Sequence, residues 1–330
     1  MTRILAIETS CDETAAAIVE DGRLVRSNAV HTQIPLHRRY GGVVPEIASR
    51  NHVEMLGPVV EKALLDAGLP LSALDAVAAT CGPGLVGALL TGLSYAKGLA
   101  LATDLPFIGV NHIEGHIAAN YLSHPALKPP FTCLIASGGH SHIVQVEDYT
   151  HFRLIGKTRD DAAGEAFDKI ARVLGLPYPG GPALEELARE GDPRAIRFHS
   201  VFNESDSFDF SFSGIKTAAV NYLHTSEQRG EDPNPADLAA SFQYAVVSVL
   251  AKKAVRAADS ALALAGGVSA NLALRGELGR LCREKGIPLF CPEPRYCTDN
   301  AAMIASAAYY HFRSGDFSPL SLNATPTFLL

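Results

Sequence analysis

Residues 4–22, ILAIETSCDETAAAIVEDG, run from an apolar stretch at 4–7 through a polar turn at 8–14 into a second apolar stretch at 15–19, which closes on Glu20-Asp21-Gly22. Short apolar runs bounded by turn residues read as strands, so this is a strand-turn-strand unit whose turn presents Thr9 and Ser10. The same grammar returns at 131–148, FTCLIASGGHSHIVQVED. There a strand at 132–136 passes through the small polar turn Ser137-Gly-Gly-His-Ser-His142 into a return strand at 143–146, and the unit closes on Glu147-Asp148. Two such units in one chain predict an internal duplication.

Around these units helix and strand signals alternate, as an α/β fold requires. Helical apolar spacing covers 53–67, a short strand covers 75–80, and the turn Gly82-Pro-Gly84 opens an Ala/Leu/Gly helix that reaches about residue 103. A buried-type strand at 107–110 leads to a helix starting at Asn111, a good N-cap residue. The second half predicts helices at 236–258, 271–285 and 298–313, with strands at 261–264 and 287–290. Residues 155–235 are irregular, with Gly/Pro clusters, a Phe/Ser-rich run at 207–214 and a polar stretch at 225–235, a composition typical of insertions that carry binding loops.

The 330 residues hold 28 Lys+Arg against 35 Asp+Glu, a net charge of −7, which argues against a stand-alone basic nucleic-acid binder. Hydrophobic residues make up 47% and charged residues 19%, enough apolar material for a sizeable core. No uninterrupted apolar run reaches the roughly 18 residues of a spanning helix, and acidic residues stand where a signal peptide would place its apolar segment. A cytoplasmic location with no membrane partner is the resulting expectation. The six cysteines form no Cys-x-x-Cys pair and read as reduced thiols.

The sharpest chemical constellation is Asn111-His112-Ile-Glu-Gly-His116. Histidines four apart on a helix share one face and can reach one metal, although a bare His-x-x-x-His is more often an exposed or core-satisfied pair. Its position after a buried strand, where α/β proteins place ligands, favours the metal reading, and a carboxylate from elsewhere would complete the site. A zinc protease needs its base glutamate directly after the first histidine; Glu114 is two residues on, about 200° around the helix. Two glycine turns, at 137–140 and 265–271, follow apolar strands, and their backbone amides can cradle phosphate. Neither matches the P-loop or the dinucleotide fingerprint. Asp168 lies one helical turn after Gly164 and precedes the proline-glycine loop at 177–182, which reads either as a ligand-closing loop or as ordinary surface. Thr298-Asp299-Asn300 opens the last long helix, where Asp299 serves as a cap or as a metal ligand.

Taken together, IETSCDETAAAIV at 7–19, HTQIPLHRRYGGVVPEIASRNH at 31–52, GPGLVGALLTGLSYAKGLA at 82–100, NHIEGH at 111–116, SGGHS at 137–141, GEAFDKIARVLGLPYPGGP at 164–182, FSFSGIKTA at 210–218, AGGVSAN at 265–271 and CTDNAAMIA at 297–305 resemble the tRNA threonylcarbamoyladenosine transferases, the bacterial TsaD branch most closely. That family once carried the label sialoglycoprotein endopeptidase. The resemblance covers nearly the whole chain. It implies an actin/Hsp70/sugar-kinase fold with two duplicated ribonuclease-H-like lobes and a nucleotide cleft between them. The expected lobes are 1–130 and 131–330, the latter with the insertion at 155–235, and the helix around 299–313 is allowed to pack back on the first.

The resemblance further implies transfer of threonylcarbamoyl from threonylcarbamoyl-adenylate to the exocyclic amine of the adenosine 3′ of the anticodon. The tRNAs concerned read codons that start with A. On this chain His112, His116 and Asp299 would be ligands of one divalent metal per subunit, iron(II) by family habit, with zinc as the alternative. Ile135, Ala136, Ser137, Gly138, Gly139, Asp168, Gly181 and Asn271 would contact the adenylate or its threonylcarbamoyl group, and Glu185 is added to that set. Asp12 and Glu13 are candidates for the base that takes the amine proton. Partners implied are tRNA, a smaller paralogue and an ATPase subunit. Residues 21–52 carry five arginines, Arg23, Arg26, Arg38, Arg39 and Arg50, against Asp21 and Glu46, and this basic segment is expected to line the tRNA entrance. The competing readings are a sugar-kinase-like phosphotransferase, which leaves His112 and His116 without a role, and a non-catalytic nucleotide-binding scaffold paralogue.

Overall fold

The computed structural model describes residues 1–198 and 206–328; residues 199–205, inside the irregular segment expected at 155–235, lie outside the described residues. In chain order the elements are β1 (Arg3–Glu8), β2 (Glu13–Glu20), β3 (Leu24–Thr32), α1 (Ile34–His37), α2 (Pro45–Ala67), β4 (Ala76–Gly82), α3 (Val86–Thr103), β5 (Phe107–Asn111) and α4 (His112–Ser123). They continue as β6 (Phe131–Ala136), β7 (Ser141–Val146), β8 (Phe152–Lys157), α5 (Ala163–Val173), α6 (Gly180–Ala188), α7 (Ser213–Gln228), α8 (Pro235–Ala257), β9 (Leu262–Ala265), α9 (Leu272–Lys285), β10 (Leu289–Phe290) and α10 (Ala301–Ser314).

Two compact units result, one of Met1–Pro129, Glu147–Phe152 and Pro292–Leu330, the other of Pro130–Val146 and Arg153–Cys291. The first holds a sheet of order β3-β2-β1-β4-β5 and the second a sheet of order β10-β9-β6-β7-β8. Read from its opposite edge, the second sheet matches the first strand for strand. In each, the opening strand lies at the centre, antiparallel to the strand after its turn (β1 with β2, β6 with β7) and parallel to a strand reached through helices (β1 with β4, β6 with β9). The duplication read from the two strand-turn-strand units is therefore a duplication of the whole sheet.

The centre of each sheet is apolar on both faces because helices cover both. Ile4, Leu5, Ala6 and Ile7 are fully buried in the first unit, and Cys133, Leu134, Ile135 and Ala136 in the second. Leu5, Ile7, Ile18, Leu56 and Leu93 belong to one core, and Leu134, Phe167, Phe242, Val246 and Leu264 to the other.

Some boundaries differ from the sequence expectation. The helix expected at 53–67 starts at Pro45, which supplies the preset φ of a first helical residue. Its first two turns escaped notice because their buried face carries Ala48 and His52 rather than large apolar residues. The strand expected at 287–290 is only Leu289–Phe290: Pro288 lends its carbonyl to the Leu262 amide but has no N–H of its own. Residues 292–330, expected in the second lobe with an allowance for the helix at 299–313, belong to the first unit, where Ala301 through Ile304 are completely buried.

Beyond α10 the chain forms a strap across the ends of β4 and β5. The Ser318 amide donates to the Phe107 carbonyl at 2.8 Å, the Thr325 amide to the Cys81 carbonyl at 2.8 Å, and the Gly84 amide to the Pro326 carbonyl at 3.2 Å. Lys97 Nζ donates to the Leu322 carbonyl at 2.9 Å. Gly82, at φ +152°, lies so close beneath the strap that a Cβ would collide with the Thr325 carbonyl oxygen.

Two helices, α3 and α8, are long and apolar enough by length and composition to cross a membrane. Most of the α8 window is buried in its own unit, and α3 packs on β4 and α2. All six cysteines are free thiols.

Candidate functional site

His112 is the first residue of α4, placed there by the end of β5 and by the Asn111 side chain, which caps the helix by accepting from the Ile113 amide at 2.8 Å. One turn on, His116 shares its face, the two rings meeting edge to face with centroids 4.6 Å apart. Asp299 comes from just before α10. The two readings of the 298–300 stretch resolve into separate residues: Asn300 is the cap, accepting from the Met303 amide at 3.0 Å, while Asp299 turns to the histidines. Its Oδ1 lies 3.5 Å from His112 Nε2 and 3.3 Å from His116 Nε2.

This donor set fits a metal. The ligand atoms of the three residues lie within 4.8 Å of one another. Bonds of about 2.1 Å in tetrahedral array require ligand separations of about 3.4 Å, close to those observed. His116 is almost wholly buried, yet among the described residues its Nδ1 has no hydrogen-bond partner and its Nε2 meets only Asp299, at 3.3 Å, an expensive arrangement for a polar ring. A cation accepting a lone pair from Nε2 removes part of that cost. Burial and the neighbouring His112 hold the His116 pKa below the usual histidine value, which keeps that lone pair available.

Glu8, at the end of β1, was not among the residues singled out in the sequence. Its fully buried carboxylate contacts His112 Nδ1 at 3.1 Å through Oε2 and accepts from Thr80 Oγ1 at 2.6 Å and from the Ser10 amide at 2.5 Å. Burial pushes Glu8 up, but the attraction of His112 and the bonds from His112 and Ser10 outweigh it and leave the carboxyl below its usual range. For His112 burial likewise opposes the charge, and Asp299 and Glu8 win, raising it to about 9 without a metal. With Nδ1–H directed to Glu8, Nε2 faces Asp299, the carboxylate-histidine arrangement that orients metal ligands.

Glu114, ruled out as a protease base by its angle, has another partner. Its carboxylate contacts His311 Nε2 of α10 at 2.9 Å, and His311 Nδ1 contacts Asp316 at 2.9 Å. Asp12 and Glu13 stand on the turn after β1. Glu13 is pushed above the usual carboxylate range by burial first and then by Asp12 and Asp299, and it accepts from Thr32 Oγ1 at 3.2 Å.

Of the basic segment, Arg23 is committed to structure: its guanidinium lies 4.7 Å from the Tyr121 ring centre and donates to the Leu127 carbonyl at 3.1 Å. Arg26 pairs with Glu20 and Arg50 with Glu46. Arg38 and Arg39 project with Tyr40 from an exposed 3₁₀ turn.

In the second unit the turn after β6 carries Ser137, Gly138 and Gly139. The Ser137 carbonyl accepts from the Gly164 amide at the start of α5, and Ser137 Oγ accepts from the His140 amide at 3.1 Å. Gly266, at φ +86°, brings the turn after β9 against the Ala136 carbonyl so closely that no side chain fits between them. Around Gly138, Gly139, Gly181 and Gly267, by contrast, an added Cβ would meet nothing within 4 Å. Ile135 and Ala136 are fully buried, main chain included.

Asp168 Oδ1 accepts from the Gly180 amide at 2.8 Å and the Gly181 amide at 3.1 Å, fixing the proline-glycine loop at the start of α6. Asn271 caps α9 by accepting from the Leu274 amide and donates through Nδ2 to Gln243 Oε1 at 2.8 Å. Glu185 accepts from the Leu272 amide at 2.7 Å. Gln243 was missed in the sequence; it also lines a cavity of about 280 Å³ with Tyr244, Val247, Ala273 and Glu277.

The chain has an α/β fold of the actin/Hsp70/sugar-kinase type, with His112, His116 and Asp299 gathered in one unit and glycine turns after β6 and β9 in the other. Component A of (R)-2-hydroxyglutaryl-CoA dehydratase from Acidaminococcus fermentans shares this fold, with a TM-score of 0.58 at 17% identity over 95% of this chain and 99% of that one. The family model of TsaD, tRNA N6-adenosine threonylcarbamoyltransferase, matches residues 24–306. A Moorella thermoacetica protein named tRNA N6-adenosine threonylcarbamoyltransferase is 60% identical over 98% of this chain and 96% of its own length. A Clostridium perfringens protein of the same name is 56% identical over 99% and 98%. The chain belongs to the tRNA N6-adenosine threonylcarbamoyltransferase family.

Proposed function

We propose that this chain transfers threonylcarbamoyl from threonylcarbamoyl-adenylate to N6 of the adenosine immediately 3′ of the anticodon, in tRNAs reading codons that start with A. The observation that carries the reading is the 60% identity with a relative of that name over nearly the full length of both chains. In the reaction N6 attacks the carbamoyl carbon, the new N–C bond forms, the C–O bond to the phosphate breaks, and AMP leaves while the N6 proton passes to a base. The donor is an activated mixed anhydride, so the protein's main tasks are orientation and charge stabilisation.

Gly138, Gly139 and the Gly266-Gly267 turn present backbone amides to the adenylate phosphate, while Ser137, whose own amide donates to the His140 carbonyl at 2.8 Å, holds the shape of its turn. Gly181, held by Asp168, closes the cradle, and Asn271 with Glu185 fixes the start of α9 beside the cavity at Gln243 and Tyr244, whose size suits a purine. His112, His116 and Asp299 would hold one divalent cation, iron(II) in this reading with zinc as the alternative, which would supply Lewis-acid chemistry. The Asp12–Glu13 pair takes the N6 proton. Arg38 and Arg39 contact tRNA phosphates, and a smaller paralogue and an ATPase subunit supply the remaining surface and turnover in the cytoplasm.

The test combines threonylcarbamoyl-adenylate, unmodified tRNA and the partner subunits, followed by mass analysis of the nucleosides. Threonylcarbamoyladenosine and AMP are expected in equal amounts. Absence of the modified nucleoside with the wild-type protein would overturn the reading, and full activity of His112→Ala would remove the metal from it.

A further inference from the structure

Three buried polar side chains outside the metal and nucleotide sites form one directional chain of hydrogen bonds. The Val44 amide donates to His37 Nδ1 at 3.3 Å, and His37 Nε2 contacts Gln33 Oε1 at 3.3 Å. Gln33 Nε2 contacts His52 Nδ1 at 3.3 Å, and His52 Nε2 contacts the Cys11 carbonyl at 2.9 Å. Thr14 Oγ1 adds a 2.7 Å bond to His52 Nδ1. Because Cys11 offers only a carbonyl and Val44 only an amide, the two ends fix every donor between them: both histidines are neutral, with the proton on Nε2. Gln33, His37, His52 and Thr14 are at most 1% exposed, and burial holds both histidines below their usual pKa, in keeping with that assignment.

The chain ends on the turn that carries Asp12 and Glu13. A second bond, from the Gln33 amide to the Asp12 carbonyl at 2.9 Å, clamps the next peptide of the same turn. Two consecutive carbonyls are thus held from one side. Glu13 bonds Asp12 and feels the charge of Asp299, so the turn sets a carboxyl pair close to the metal-binding aspartate. The other end of the chain lies at the base of the exposed Arg38-Arg39-Tyr40 turn, which follows His37 directly.

We propose that His52, oriented by Gln33 and His37, is a positioning residue for the transfer reaction: its Nε2–H holds the Cys11 carbonyl and thereby sets the Asp12–Glu13 pair beside Asp299. The inference rests on the transfer reading above. It goes beyond that reading in assigning a role to the 31–52 motif other than tRNA contact. Displacement of a reacting group by about 1 Å costs on the order of 100-fold in rate, so loss of the clamp appears in kcat and leaves binding of both substrates intact.

The test compares wild type, His52→Ala, His52→Gln and Thr14→Val in the full transfer assay, with metal affinity and melting temperature measured on each. His52→Ala is expected to lower kcat about 10- to 100-fold with KM for tRNA and donor within about threefold and metal affinity unchanged. His52→Gln, whose amide can still reach the Cys11 carbonyl, recovers most of that loss. Should His52→Ala fail to fold, Thr14→Val, nearly the same shape, carries the test with an expected several-fold fall in kcat. Unchanged kcat in the folded variants, a loss confined to KM, or a parallel fall in metal affinity overturns the proposal. Nitrogen-15 spectra of the imidazoles supply an activity-independent reading: neutral Nε2–H tautomers for His37 and His52 at neutral pH are expected, and a charged His52 overturns the proposal even if the transfer reading itself has failed.

Discussion

Glu8 and His112, 104 positions apart, meet in a buried contact of 3.1 Å between Oε2 and Nδ1, and Glu8 is itself held by Thr80 and the Ser10 amide. The carboxylate fixes which nitrogen of His112 faces Asp299. Glu8→Gln keeps the shape but removes the charge that makes the imidazole a strong donor. Its expected effect is a fall of about 10- to 100-fold in affinity for a divalent metal. Calorimetric titration with zinc, or anaerobically with iron(II), checks this, and an unchanged affinity would show that Glu8 serves only the fold.

Asp168 is expected to matter through the loop it holds. Asp168→Ala frees the Gly180 and Gly181 amides, which share one carboxylate oxygen. The predicted outcome is a loss of adenylate binding of at least about tenfold and a stability cost of about 1–3 kcal/mol. Titration with AMP and urea denaturation measure the two effects. Metal affinity stays at the wild-type level, since the His-His-Asp triad belongs to the other unit.

Arg38 and Arg39 stand exposed on the turn that follows His37 in the basic segment. Reversing both charges, Arg38→Glu with Arg39→Glu, is expected to weaken tRNA binding and to flatten its salt dependence by about one to two units of slope. Filter binding across a salt series decides it; equal affinity at low salt would move the tRNA surface elsewhere.

His311 ties α10 to Glu114 of α4 and to Asp316 of the strap. Burial pulls its pKa down, but the two carboxylates prevail and hold it above 6.5. A group raised on folding contributes its full stabilisation below its unfolded value of about 6.5 and loses it as pH rises through the folded value. The melting-temperature advantage of wild type over His311→Gln is therefore larger near about pH 6 than near about pH 9. An advantage that is flat or grows with pH would sink the assignment of a charged bridge.

Local patterns carried the fold further than they carried the site. The paired runs at 4–22 and 131–148 announced both sheet centres, because a strand buried on two faces is apolar at every position. The spacing of His112 and His116 is likewise a local fact. Glu8 was invisible as a site residue, since nothing near it in sequence says that its carboxylate meets a ring 104 positions away rather than solvent. Asn271 announced a helix start but not its bond to Gln243, and Glu114 could be excluded as a base without revealing His311. Residues 45–52 hid a helix because their inward face carries Ala48 and His52 rather than large apolar residues. In each case the missing partner comes from a distant element, and packing rather than periodicity brings it near.

The order in which the chain is made gives the His-His-Asp centre a further property. His112 and His116 leave the ribosome before the second unit is made, whereas Asp299 and the strap that crosses Gly82 follow it. A nascent chain can therefore fold its second unit first, while the first, begun earlier, waits for its closing helix. A product that terminates before Asp299 lacks the carboxylate of the triad, so the three-ligand arrangement cannot form in it.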